Sequence, residues 1–410
     1  MTAPEGARLG FDRGKARLPL EGIKVLDLSN LMAGPSTTMH LADFGAEVIK
    51  VERPGRGDDL RRWGHMQDGV GLAFKVLNRN KRLITLDLST APGQEVAKRL
   101  VERVDIVVES FRPGTLERWG LGFDDMLSIN PSLIMGRITG FGQQGPYSHR
   151  RAFGTLGEAM SGIAHMNSDK EGQPRLPAFG LGDASAAIFA AYGLVLALFN
   201  QRMNGGKGQF VDLALYEGLY TFLGLRFTDY AQVGAKIERG RDSSVAPRNT
   251  YRCLDGTWLA LSGGTQGTFS AICQAAGRPE LPQDPRFSSN EQRVQHVDAL
   301  DAALAEAIGS LTWEELEKHA EKFGAPMFPI YDIPTFLSDP QVMFRGNAIT
   351  IADQELGSVL VASPTPRLSD TPGNVVELAG PPGKDNVHVY RDWLDMTTEE
   401  YGNLSRDGVI

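Results

Sequence analysis

In the stretch LPAFGLGDASAAIFAAYGLVLALFN (Leu176–Asn200), a single carboxylate, Asp183, stands at the mouth of a long apolar helix, directly after a Gly-Leu-Gly turn. A lone acid there has two kinds of work open to it. It can cap the helix by accepting hydrogen bonds from the backbone N–H groups that the first turn leaves without partners. It can also be a nucleophile, because the glycines leave its approach side open and the positive end of the helix favours negative charge. On this segment alone the residue preferences of helix caps favour the first.

The arginines form a second constellation. Arg53 closes the second predicted strand, Arg61 and Arg62 follow a glycine-rich loop, Arg112 and Arg118 follow the fourth strand, and Arg151 lies shortly beyond the fifth. Most of them fall at the carboxyl ends of strands, where open α/β sheets form their ligand crevice. Surface arginines are commonly just solvated, but several converging on one rim of a chain with net charge −8 suit a phosphate-bearing ligand. Phe111, beside Arg112, offers either a stacking face for an aromatic base or a core contact.

Other chemistries lack their residues. The βαβ unit Val25–Glu52 places an acid near the ribose-binding distance of a dinucleotide site, but it reads Asn30-Leu-Met-Ala-Gly-Pro where GxGxxG should stand. GxxxxGK[ST] and GxSxG are both absent. The seven histidines are scattered and none forms HExxH, so no metal site is expected.

The elements that must position these residues are legible from periodicity. VLDLS (Val25–Ser29), EVIKVE (Glu47–Glu52), RLITLDL (Arg82–Leu88), DIVVES (Asp105–Ser110) and SLIMGRI (Ser132–Ile138) read as buried strands. Helical stretches at Ala33–Gly45, Pro92–Val104 and Asp124–Ile129 alternate with them, and FVDLALYEGLY supplies a sixth strand running into a helix. The pattern predicts an α/β fold, a parallel sheet covered by helices on both faces. Asp255-Gly256, flanked by alternating aromatic and aliphatic residues, is a hairpin signal, and helices follow around Phe269–Ala276, Arg293–Ile308 and Thr312–Gly324. The expected organisation is a large domain over 1–225, a linker over 226–244, a small α+β domain over 245–330, and an irregular, proline-bearing segment over 331–410 that packs back on the large domain. Such a division suits 410 residues.

Composition narrows the class. The acidic balance argues against a nucleic-acid partner. The two cysteines, Cys253 and Cys273, have no ligand spacing and point to a reduced, cytoplasmic setting without structural zinc. The first 19 residues read as an arm rich in Gly, Arg and Pro, without the apolar run of a signal peptide. The apolar run Ala184–Phe199 is about 16 residues, short of the roughly 20 a spanning helix needs, so no membrane is expected.

Seven stretches taken in order carry a resemblance. They are LEGIKVLDLSNLMAGPSTTMHLADFGAEVIKVERPGRGDDLRRWG, LNRNKRLITLDL, VVESFRPGTLERWGLGFDDM, INPSLIMGRITGFGQQGPY, GLGDASAAIFAAYG and, in the small domain, YRCLDGTWLAL with GRPELPQDPRF. Together they resemble the class III CoA-transferases, the family of formyl-CoA and carnitine CoA-transferases, with related acyl-CoA racemases in the same superfamily. The resemblance implies a Rossmann-like large domain and a dimer of interlinked chains, either a homodimer or a heteromer with a paralogous subunit. It also implies Asp183 as the nucleophile that carries mixed-anhydride and CoA-thioester intermediates. Arg53, Leu86, Ser110, Phe111, Arg118 and Arg151 fall where that family contacts CoA, with Arg112 beside them. An acyl-CoA and a small carboxylic acid are then the partners, and no cofactor is permanently bound.

One departure stands out. Phe153-Gly154 occupies the place where many transferases carry Tyr-Asp and the racemases His-Asp. A racemase loses part of its acid/base pair by that change. Two alternatives to the transferase remain, a racemase and a non-catalytic CoA-binding subunit. Glu158, one helical turn on, reads as a solvated or structural carboxylate. The additional arginines Arg61, Arg62 and Arg150 favour a substrate with a second carboxylate, with succinate as a candidate donor acid.

Overall fold

The computed structural model describes residues 17–169, 171–235, 240 and 244–410. Six strands, β1 (Lys24–Asp27), β2 (Glu47–Glu52), β3 (Lys81–Thr85), β4 (Ile106–Glu109), β5 (Ile134–Thr139) and β6 (Phe210–Ala214), pair in the order β3-β2-β1-β4-β5-β6. Every pairing is parallel. This is the doubly wound order, in which the strand sequence reverses beside β1 and leaves a crevice at the carboxyl edge.

The strands form because they are rich in Val and Ile and are buried on both faces. Alternation divides their side chains between two cores. Leu26, Ile49, Ile84 and Val107 face the helix Ala91–Val101 and the C-terminal residues Tyr390 and Leu394. Val25, Val48, Ile106 and Ile134 face helix α1 (Ala33–Asp43) and the long Asp183 helix, Leu181–Asn204.

That long helix sits close to the sheet because its inner face is small. Ala186, Ala187 and Ala190 are buried, and a Cβ on Gly193 would lie 2.9 Å from Val211 Cγ1. Its outer face leaves Ile188, Tyr192, Leu196, Phe199 and Met203 exposed. At 24 residues the helix runs beyond the apolar stretch and is long and apolar enough to cross a bilayer, a test that core helices also pass. Half of its most apolar window is buried inside the fold.

Beneath the exits of β1 and β2 lies a buried charge cluster. Lys81 Nζ is 3.1 Å from Asp27 Oδ2, and Lys50 Nζ is 3.1 Å from Asp58 Oδ2, with all four side chains fully buried. Burial would raise Asp27, but Lys81, Lys50 and the Ser29 and Thr38 hydroxyls overcome it and hold the carboxyl down at about 2. Such a cluster is tolerable only when every charge is paired. It shapes the loop after β1, where the Leu31 amide, in a left-handed residue at φ 66°, donates to Asp58 Oδ1 at 3.1 Å.

The chain divides into two compact units. The first comprises the residues through Ala164, Leu176–Gly224 and Pro340–Ile410. In it, the C-terminal segment closes the exposed edge of β3. Asp385 Oδ2 accepts from the Leu83 amide at 2.7 Å, Asn386 Oδ1 accepts from the Thr85 amide at 2.9 Å, and the Tyr390 hydroxyl donates to Thr85 O at 2.6 Å. Those side chains occupy backbone groups that an open edge would present to other strands. The segment is more regular than its prolines suggest, with a hairpin of Ala348–Asp353 on Gly357–Ala362 and a helix at Thr398–Arg406.

The second unit comprises His165–Arg175 and Leu225–Asp339. The sequence boundaries differ from it in three places, one being that residues 331–339 fall here rather than with the C-terminal segment. Residues 165–175 fall in this unit rather than with 1–225, and the expected linker contributes most of a helix, Gly224–Val233. The charged residues beyond Val233 masked the apolar spacing of Leu225, Phe227, Tyr230 and Val233. Residues 236–239 and 241–243 of that linker lie outside the described residues.

The expected hairpin of the second unit pairs Arg248–Arg252 with Trp258–Ser262, turning at Gly256 with φ 90°. The glycine-bearing segment 261–267 is a strand-to-helix turn, capped by Thr265. It is pinned by the buried Arg293, whose guanidinium donates to the Gly263 and Gly264 carbonyls and to Gln266 Oε1. Both cysteines are buried in this unit, and burial pushes the Cys273 thiol up to about 12.

Candidate active site

Asp183 is the third residue of its helix, where the macrodipole favours an anion. It is not the cap. The N-cap is Gly180, which has no side-chain cap bond, and the amide of Gly182 is instead taken by Glu158 Oε1 at 3.0 Å. Asp183 is thereby freed of capping duty.

The helix Gly154–Ser161, termed α2, sets the wall of this turn. Its buried residues are Gly154, Gly157, Glu158 and Ser161, a helical stripe of small side chains interrupted by one acid. Backbone lies on backbone along it. A Cβ on Gly154 would lie 2.3 Å from Asp183 Oδ2, one on Gly182 would lie 2.4 Å from Gly154 O, and one on Gly157 would lie 2.9 Å from Leu215 O. The Gly154 amide also lies close enough to the Asp183 carboxylate to favour its charged form. Phe153-Gly154 is therefore a steric arrangement, in which no side chain fits at 154 beside the aspartate as placed.

Burial, and next the negative charge of Glu158, push Asp183 up to about 6, against the pull of the Gly154 amide. Asp183 is only half-buried and makes no ion pair among the described residues, whereas Glu158 is 2 % exposed. A carboxylate of raised basicity, partly open and without a cation, is equipped for nucleophilic attack. Three backbone amides of this turn are not free to act as donors to a ligand. The amides of Leu181, Gly182 and Ala184 are already engaged with Phe179 O, Glu158 and Gly180 O.

The crevice residues sit at the carboxyl edge of the sheet. Arg53 follows β2 and is exposed; Leu86 follows β3, is buried, and donates its amide to Glu52 O at 2.8 Å. Ser110 follows β4, and its hydroxyl accepts from the Asn30 amide at 3.0 Å, tying together the loops after β1 and β4. Phe111 is half-buried and stacks edge-on to Trp119 at 5.4 Å. Arg112, Arg118 and Arg151 are exposed, and none pairs with an acid among the described residues. The loop after β1 also reaches the aspartate turn, with Met32 Cε 3.7 Å from the Cβ position of Gly180.

A buried lever holds the loop that carries four of these residues. Arg137 of β5 reaches Glu109 Oε1 and Glu117 Oε1, each at 2.8 Å, and Glu109 Oε2 accepts from the Phe111 amide at 2.7 Å. Burial pushes the Glu109 carboxyl up to about 7 despite Arg137. Nothing in the strand pattern marked this pair, because charged residues inside a buried strand are unexpected until their partner is known.

Two of the three additional arginines are committed elsewhere. Arg61 forks onto Glu52 at 2.6 and 2.7 Å, donates to Gly380 O and stacks on Phe74. Glu52 is thus a buried structural acid rather than a ribose ligand. Arg62 is paired with Asp59 at 2.8 Å. Arg150 rests on the Tyr147 ring and keeps its charge exposed without an acidic partner among the described residues. No cluster of three metal-ligating side chains occurs among the described residues.

Comparison with known proteins matches residues 20–386 to the profile of CoA-transferase family III. The succinyl-CoA–D-citramalate CoA-transferase of Chloroflexus aurantiacus is 41% identical over 396 residues, covering 96% of this chain and 98% of that protein. The alpha subunit of succinyl-CoA–L-malate CoA-transferase from Chloroflexus aurantiacus is 35% identical, covering 97% and 94% respectively. A crystal structure of a CaiB/BaiF family protein from Brucella suis superposes with a TM-score of 0.79 at 31% identity, covering 93% of this chain and all of that one.

Proposed function

The chain belongs to CoA-transferase family III, and we propose that it moves CoA from succinyl-CoA to a small dicarboxylic acid through covalent intermediates on Asp183. The observation that carries this reading is the Asp183 turn, where an uncapped carboxylate without a cation lies against the bare backbone of Gly154.

Asp183 attacks the thioester carbonyl, the C–S bond breaks, and CoA leaves as thiolate from an aspartyl–acyl anhydride. The thiolate then attacks the aspartyl carbonyl and releases the donor acid, leaving Asp183 as its CoA thioester. An acceptor carboxylate attacks that thioester, and the returning thiolate takes the acceptor acyl group and regenerates Asp183. One thioester replaces another, so no external energy source is required. An ionised carboxylate suits both roles, first nucleophile and then activated acyl group.

Arg53, Arg112, Arg118 and Arg151 provide unpaired cations for the CoA phosphates, and Leu86, Ser110 and Phe111 line the strand exits between them. Arg150, the one additional arginine left free of an acid, is suited to a distal carboxylate. Succinyl-CoA, citramalate and malate in the names of the relatives fit that chemistry. The reduced, cytoplasmic setting belongs to the same reading and rests on the two buried, unbonded thiols.

The exposed stripe of Ile188, Tyr192, Leu196, Phe199 and Met203 supports a homodimer, since that much apolar surface on one helix calls for a cover. Light scattering is expected to return twice the 44.6 kDa chain mass at micromolar concentration. A monomer under those conditions removes the dimer from the proposal.

The activity is tested by incubating the protein with succinyl-CoA and a panel of acids, with mass detection of thioesters. Citramalyl-CoA or malyl-CoA is expected, with release of succinate. Exchange of an acyl-CoA α-proton in heavy water without any new thioester points to a racemase and ends the transferase reading.

A further inference from the structure

The stripe of α2 is inverted. Leu156 and Met160 face solvent while Glu158 is buried at 2 % exposure between Gly154 and Ser161. A helix gives up apolar burial for a carboxylate where that carboxylate has a task. Glu158 Oε1 holds the Gly182 amide, the residue before Asp183, and no cation among the described residues neutralises it. We infer that Glu158 is a positioning residue for Asp183, fixing the helix turn that presents the nucleophile and setting the electrostatic field in which it works.

This rests on Asp183 being the nucleophile. Two carboxylates in one poorly solvated turn raise the cost of the second negative charge. Asp183 then binds its proton more tightly and, once ionised, is a stronger base and a better attacking group. Acylation removes the Asp183 charge and relieves the repulsion, so Glu158 favours the covalent intermediate over the free carboxylate.

Other charged groups near this turn are spoken for. The elements packed against the Asp183 helix include α1, α2, β5, β6 and the helix Glu217–Phe222. Of their titratable groups, Asp43 pairs with Arg79, Arg137 with Glu109, Asp212 accepts from the Gln143 amide, and Glu217 accepts from the Ala214 amide. His40 lies on α1 beside Asp43 and Arg79. Glu158 is the charge felt at Asp183.

The test compares wild type with Glu158→Gln and Glu158→Asp by exchange of labelled succinate into succinyl-CoA across pH 4.5–8, about the range in which a raised carboxyl titrates. Glu158→Gln keeps an acceptor for Gly182 but removes the charge. Its acid limb is expected to move down by about half to one pH unit, with a plateau kcat about two- to five-fold lower and an unchanged KM for succinyl-CoA. Glu158→Asp keeps the charge on a shorter arm, so its limb stays at the wild-type position while kcat falls. An unmoved limb in folded Glu158→Gln overturns the inference, and if that variant does not fold, a wild-type kcat in Glu158→Asp does so instead. Hydroxylamine trapping on wild type separates the two layers. No label on Asp183 sinks the mechanism itself, whereas a labelled Asp183 with an unmoved limb sinks only the role of Glu158.

Discussion

Asp183→Ala is expected to abolish CoA transfer, with a fall in kcat on the order of ten-thousand-fold or more, as when a covalent nucleophile is removed. CoA should still bind, because Arg53, Arg112, Arg118 and Arg151 stand on other loops. The same variant is expected to be at least as stable as wild type at pH 7.5. The folded protein holds the Asp183 proton up to about pH 6, above the ordinary carboxylate value, so the unfolded chain releases it first as pH rises. Folding stability therefore falls across the window from about 4 to 6, and the penalty persists above it. Replacing the acid removes that penalty, an exchange of stability for activity common at reactive sites. Isothermal titration with CoA, a thermal melt and the exchange assay check the three parts. A kcat in the variant within about a hundred-fold of wild type discards Asp183 as the nucleophile.

Gly154→Ala is the second large effect, and it is unusual because alanine ordinarily favours a helix over glycine. The added methyl would sit 2.3 Å from Asp183 Oδ2 and 2.8 Å from its backbone N. Either the aspartate or the whole first turn of α2 must shift. A displacement of about 1 Å at a reacting carboxylate can reduce kcat by about a hundred-fold. The KM for succinyl-CoA should hold near the wild-type value, since none of the proposed phosphate contacts moves. A Gly154→Ala enzyme with wild-type kcat would show that the wall is not needed. Gly154→Asp, with a larger side chain at the same close approach, is expected to be at least as damaging here.

The departure at 153–154 shows how far reading along the chain reaches. The sequence marks a missing acid, and only the structure shows what replaced it, a close approach of two backbones through Gly154 and Gly182. Glu158 illustrates the same limit. One turn along a helix bearing Leu156 and Met160, an acid reads as solvent-facing, because apolar residues normally claim the buried side. The small stripe Gly154, Gly157, Ser161 inverts that rule by letting backbone pack where side chains usually do. Arg61 and Arg62 read as ligand cations because spacing cannot show that Glu52 and Asp59 had already taken them.

The alternation of buried strands and helices, the parallel sheet, the placing of the arginines at strand exits and the singular position of Asp183 were all legible along the chain. These are local properties, since period, β-branching and turn residues act within a few positions of one another. The tertiary structure alone decided the order β3-β2-β1-β4-β5-β6, the Asp27–Lys81 and Glu109–Arg137 pairs, the transfer of the capping bond from Asp183 to Glu158, and which arginines kept a free charge. Each depends on partners distant in sequence, and a charge has no fixed meaning until the fold brings its counter-charge within reach.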